Sequence, residues 1–106
     1  MAASWRGVWN SATNMSQIDV ALCDSAPYNT NEATAALRVA LRNPSTGAIT
    51  YQTAPARLTV FQGADCASTT WSLGYSQQIW AVCLWFWGDE APSDIWGTAW
   101  RYNPYL

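Results

Sequence analysis

Ile18, Val20 and Leu22 alternate with Asp19, Ala21 and Cys23, the two-residue period of a half-buried strand. Trp71, Leu73 and Tyr75 alternate in the same way with Ser72 and Gly74. Leu58, Val60 and Phe61 mark a strand within 57–62, after a break at Pro55. The segment 78–87 is different in kind, because every position from Ile79 to Trp87 is apolar. That run is about half the length a membrane-spanning helix needs. Its bulky aromatics suit a central strand covered on both faces. A short aromatic segment from Trp5 to Trp9 precedes a polar stretch, and Ile95 to Tyr102 predicts a last strand before the tail Asn103–Leu106.

The stretch Glu32–Asn43 reads two ways. As a helix it puts Ala33, Leu37 and Leu41 on one face, with Asn31 as a cap. As a strand it turns Leu37, Val39 and Leu41 inward and Arg38, Ala40 and Arg42 outward. The following Asn43-Pro44-Ser45-Thr46-Gly47 is turn chemistry, and Ile49, Thr50, Tyr51 and Thr53 are strand formers. A β-hairpin therefore takes precedence over the helix. Residues 24–32 and 63–68 read as loop and turn, and 88–93 as an acidic turn with Pro92. The whole predicts an all-β chain, a small antiparallel β-sandwich or barrel of six to eight short strands. With 106 residues it forms a single domain, 1–106.

Composition narrows the function classes. Only 11% of residues are charged, against about 25% in ordinary globular domains. Lysine is absent, and the five arginines are scattered through a chain of net charge −2. Nucleic-acid binding needs clustered cations to displace counterions, so no nucleic-acid partner is expected. The start of the chain has neither a basic region nor an apolar one of the signal-peptide kind, and no transmembrane segment is expected. Met1 is read as a start placed before a mature exported sequence, and the expected location is extracellular.

Cys23, Cys66 and Cys83 allow one bridge and one free thiol. Three pairings are possible, and Cys66–Cys83 is the preferred one. There is no CxxC and no histidine, which excludes a zinc site of the usual kind. Without histidine or lysine, the common ways of activating a hydroxyl or thiol are missing. The chain is therefore expected not to be an enzyme and to carry no cofactor. Asp89, Glu90 and Asp94 are the clustered carboxylates; they read as a solvated turn, with a calcium site or a catalytic pair as lesser alternatives.

Eight tryptophans and five tyrosines remain to be placed. Trp80, Trp85 and Trp87 are expected to fill the core. A domain this small has limited interior, so other rings should be exposed. Trp96 and Trp100 share a face if 95–102 is a strand, with Tyr102 next along it; Trp5 and Trp9 repeat the spacing. Such a row, about 13 Å long, could stack on sugar rings or on a partner's apolar groups. These five residues are the predicted ligand-binding set. The expectation is a secreted binding module, carbohydrate-binding and lectin-like. The alternative is a protein–protein interaction subunit of a secreted assembly, toxin complex or virion, enzyme inhibitors included, and oligomers are possible.

Overall fold

The computed structural model describes residues 1–24, 32–61, 66–89 and 93–106. Among these residues there is no helix, and hence none long and apolar enough to cross a membrane. Among the described residues nine strands are formed: β1 (Ala2–Trp9), β2 (Asn14–Cys23), β3 (Ala33–Arg42), β4 (Ile49–Thr53), β5 (Leu58–Val60), β6 (Cys66–Gly74), β7 (Gln78–Gly88), β8 (Trp96–Gly97) and β9 (Arg101–Tyr102). They make two antiparallel sheets. The narrow one has the order β1-β2-β6. In the wide one β3 and β7 pair along ten residues each, from Ala33 opposite Gly88 to Arg42 opposite Gln78. β4 and β5 lie end to end along the outer edge of β3. β8 and β9 do the same along the outer edge of β7. The result is a small β-sandwich, 49 × 25 × 20 Å.

The alternation read from the sequence decides what lies between the sheets. Met15, Ile18, Val20 and Leu22 of β2 face Leu37, Val39 and Leu41 of β3 and Ile79, Val82 and Leu84 of β7, all buried. Trp71 and Leu73 of β6 pack against this cluster from the narrow sheet. The hairpin prevails over the helix at 32–43. Its turn is held by Asn43, whose Oδ1 accepts the N–H groups of Ser45 (2.9 Å) and Thr46 (3.3 Å). Gly47 closes the turn at φ +75°, a conformation that costs a side-chain-bearing residue about 1 kcal/mol or more.

Both edges of the wide sheet are interrupted. Pro55, which has no N–H to donate, falls between β4 and β5. On the other edge the expected strand 95–102 is not continuous: it splits into β8 and β9 around Thr98, giving nine strands among the described residues. Thr98 takes over part of the ladder with its side chain. Its N–H donates to the Leu84 carbonyl (3.0 Å), while its Oγ1 accepts the Leu84 N–H (3.0 Å). The same oxygen accepts the indole N–H of Trp5 from the narrow sheet (3.2 Å). Interrupted edges resist pairing with other chains.

Asn103 fastens the tail. Its Nδ2 donates to the carbonyls of Ile79 (2.9 Å) and Ser11 (3.1 Å), and its Oδ1 accepts the Tyr105 N–H (2.9 Å). Two further expectations need correction. The predicted turn 63–68 is strand from Cys66 onward, with 62–65 outside the described residues. The predicted Cys66–Cys83 bridge is replaced by Cys23–Cys66. Those two cysteines are directly opposite in the β2–β6 register, whereas Cys83 is buried and free in the other sheet.

Candidate functional site

The face of the wide sheet turned away from the core is built on small residues. Ala36 and Ala40 of β3 and Ala81 and Cys83 of β7 alternate with the core-facing Leu37, Val39, Val82 and Leu84, and all four are buried. Small side chains would leave a sheet face open to water, so something larger must cover them. The cover is aromatic. Trp85 and Trp87 project from β7 on this face, about 7 Å apart by the rise of a strand. Tyr51 of β4 lies opposite Ala40 and meets Trp100 edge-to-face, ring centres 5.8 Å apart. Tyr102 of β9 lies opposite Ala81 and meets Trp80 in the same manner at 5.1 Å.

Guanidinium groups lie over the indoles. Arg38, opposite Cys83 in the sheet, sits 4.6 Å from the centre of the Trp85 ring. Arg57 lies 6.0 Å from that of Trp87. Both hold neutral oxygens: Arg38 Nη1 donates to Thr53 Oγ1 (3.1 Å), and Arg57 Nη1 to the carbonyls of Ala54 and Ala56. A cation–π contact of this kind contributes about 0.5–2 kcal/mol per pair. An open cleft of about 240 Å³ runs between Trp85, Trp87, Arg57, Thr53 and Ile95. Beneath the layer, burial pushes the Cys83 thiol up to about 11, against a smaller downward pull from Arg38. That thiol is part of the floor.

The predicted ligand-binding set is divided by this arrangement. Trp5 is a core residue, 4% exposed, and Trp9 packs against the core from the same strand. Trp96, Trp100 and Tyr102 do not form a row, because β8 ends at Gly97 and β9 begins at Arg101. Trp96, 64% exposed, pairs with Phe86, whose side chain packs toward the core. Tyr102 is on the opposite side of the sheet, with Ala81. Trp80, Trp85 and Trp87, expected in the core, are half-buried and stand outside the core cluster.

Tyr51, Arg38 and Arg57 were not singled out by the sequence. The signal that was available is the alternation of Ala81 and Cys83 with Trp85 and Trp87, small then large along one face. Of the carboxylates, Asp89 Oδ1 accepts the Thr34 hydroxyl (2.9 Å) and Asp94 is exposed, while Glu90 lies outside the described residues. Among the described residues no three groups of metal-ligating type come together. Comparison of the chain with known protein families, with curated proteins and with solved structures finds no match.

Proposed function

We propose that the chain is a non-catalytic binding domain that docks onto another protein through the outer face of its wide sheet. The single observation that carries this reading is the layer of Trp80, Trp85, Trp87, Trp100, Tyr51 and Tyr102, with Arg38 and Arg57 laid over two of the indoles. Trp, Tyr and Arg are the side chains that dominate binding energy at protein interfaces. Here they are held in fixed orientations before any partner arrives, which lowers the entropy cost of association. The cleft beside Trp85 and Trp87 would receive one apolar side chain of the partner.

The arrangement favours a protein over a stacked polysaccharide. A sugar platform requires a flat ring face that is free to be covered. Arg38 already lies over Trp85, and the Tyr51–Trp100 and Trp80–Tyr102 pairs meet at interplanar angles of 62° and 75°. The extended row on which stacking was expected is absent. The Cys23–Cys66 bridge supports an oxidising, extracellular setting, since disulfides persist there. The lack of histidine and lysine in the sequence supports the non-catalytic reading.

The test is quantitative affinity capture in the source organism with the wild-type chain and a Tyr51→Ala/Tyr102→Ala variant side by side. Both tyrosines are more than half exposed, so their loss should leave the fold intact. The reading expects one partner retained in stoichiometric amount by the wild type and lost from the variant. Equal retention by both, or no stoichiometric partner at all, would count against it.

A further inference from the structure

The narrow sheet carries a second concavity on the opposite side of the molecule, with chemistry unlike that of the aromatic face. Its outer surface is a small grid. Arg6, Asp19 and Thr70 stand in one row across β1, β2 and β6. Ser4, Ala21 and Ser68 form the next row, about 7 Å along the strands. Ala21 is the short side chain at the centre of that second row, so the grid dips there. With Arg101 at its rim the depression encloses about 760 Å³ of open groove.

The polar groups of this groove are unequally satisfied. Asp19 is largely engaged within the sheet: its Oδ1 accepts the Thr70 hydroxyl at 2.9 Å, and its carboxylate accepts the Gln17 amide at 3.3–3.4 Å. Arg6 stands opposite Asp19 in register, yet among the described residues its guanidinium has no hydrogen-bond or ion-pair partner. The Arg101 guanidinium lies over the Trp5 ring, its carbon 4.5 Å from the ring centre. Stacking leaves the in-plane N–H donors of a guanidinium free. Two unspent guanidiniums and three hydroxyls thus surround one committed carboxylate, on a chain whose net charge is −2. The groove offers donors to an anion and paired donors and acceptors to hydroxyls, and no open ring face to an apolar ligand.

We propose that this groove binds an acidic oligosaccharide, with the sugar's carboxylate or sulfate held between Arg6 and Arg101 and its hydroxyls on Ser4, Ser68 and Thr70. The dip over Ala21 has room for one ring, and the rows on either side supply the contacts. Charge-assisted bonds from the arginines select the acidic sugar; the serine and threonine hydroxyls select a polyol over a bare anion.

The experiment is calorimetric titration of the full oxidised chain with three trisaccharides of equal length: an oligogalacturonate, a sulfated galactose oligomer and the neutral galactose oligomer. A single-stranded oligothymidylate of similar charge is the fourth arm. The expected result is binding of one or both acidic sugars at least about tenfold tighter than the neutral one, and which arm binds identifies the anion. Arg6→Gln, an exposed position, should weaken that binding about tenfold. Arg42→Gln at the far hairpin and the Tyr51→Ala/Tyr102→Ala variant should leave it unchanged. The last control separates this site from the protein-docking face, since either can fail alone. Four results would overturn the proposal: no binding at millimolar sugar, equal binding of neutral and acidic sugars, oligothymidylate binding as tight as the sugars, or an Arg6→Gln variant as tight as the wild type.

Discussion

Thr98 is where the two sheets and the broken edge strand meet, and replacing it by valine isolates one hydroxyl. Valine has nearly the same shape, so no cavity opens. Two donors lose their acceptor: the Leu84 N–H at 3.0 Å and the Trp5 indole N–H at 3.2 Å. Leu84 is wholly buried and Trp5 is 4% exposed, so water has little access to either. A buried donor left without a partner costs about 1–3 kcal/mol. For the two together we expect a loss of about 2–4 kcal/mol, large against the ~5–15 kcal/mol of a small domain. At about 4–8 °C per kcal/mol this lowers Tm by roughly 8–32 °C. The assay is urea unfolding of the oxidised protein followed by tryptophan emission, with Thr98→Ser as the control that keeps the hydroxyl. Serine should stay within about 1 kcal/mol of the wild type. If valine proved as stable as the wild type, the hydroxyl would not be substituting for a ladder carbonyl and this account of the edge would fall.

The Cys23–Cys66 bridge spans a sequence separation of 43, and loop-closure entropy for such a ring is about 4 kcal/mol; a Cys23→Ser/Cys66→Ser variant should lose that much in the same urea assay, and an unchanged midpoint would refute the entropic reading. Intact mass after alkylation should show no modified thiol in the native oxidised protein near neutral pH and a single one, at Cys83, after unfolding. Because the Cys83 pKa is raised in the fold from 9.0 to about 11, its contribution to stability is complete below pH 9 and is lost as pH rises toward 11. Cys83→Ala should flatten the fall in unfolding free energy over that window, and identical pH slopes would contradict it. Gly7→Ala would bring a Cβ to about 2.5 Å from Met15 Cε and 3.3 Å from Trp5 Cζ3; overpacking of this kind costs about 1–3 kcal/mol, readable in the same unfolding midpoint.

The strands and their inward faces were legible because burial on one side of a sheet imposes a period of two. Ile18, Val20 and Leu22 could hardly be misread, and the Asn43–Gly47 turn settled the ambiguous segment before it. The wholly apolar run 79–87 did identify the central strand. It hid which of its faces met the core, because a run without alternation carries no facing signal. The sequence therefore reads Trp80, Trp85 and Trp87 as core, whereas their indoles stand outside the core cluster. The last strand reads as continuous for a different reason. Thr98 is a good strand former, and only the tertiary positions of Leu84 and Trp5 give its hydroxyl a reason to break the ladder. The disulfide depends on the β2–β6 register, which joins residues 43 apart and leaves no local trace. The arginines over the rings are equally non-local: Arg38 finds Trp85 across a sheet.

Docking through the aromatic–arginine face is tested most directly by photo-crosslinking in the source organism, with a photoreactive phenylalanine analogue placed one position at a time. Positions Tyr51 and Tyr102 on that face should yield adducts to one and the same protein. Positions Val8 and Ser68, exposed on the outer surface of the narrow sheet, should yield none to it. Adducts to that protein from all four positions, or from Val8 and Ser68 alone, would contradict the account.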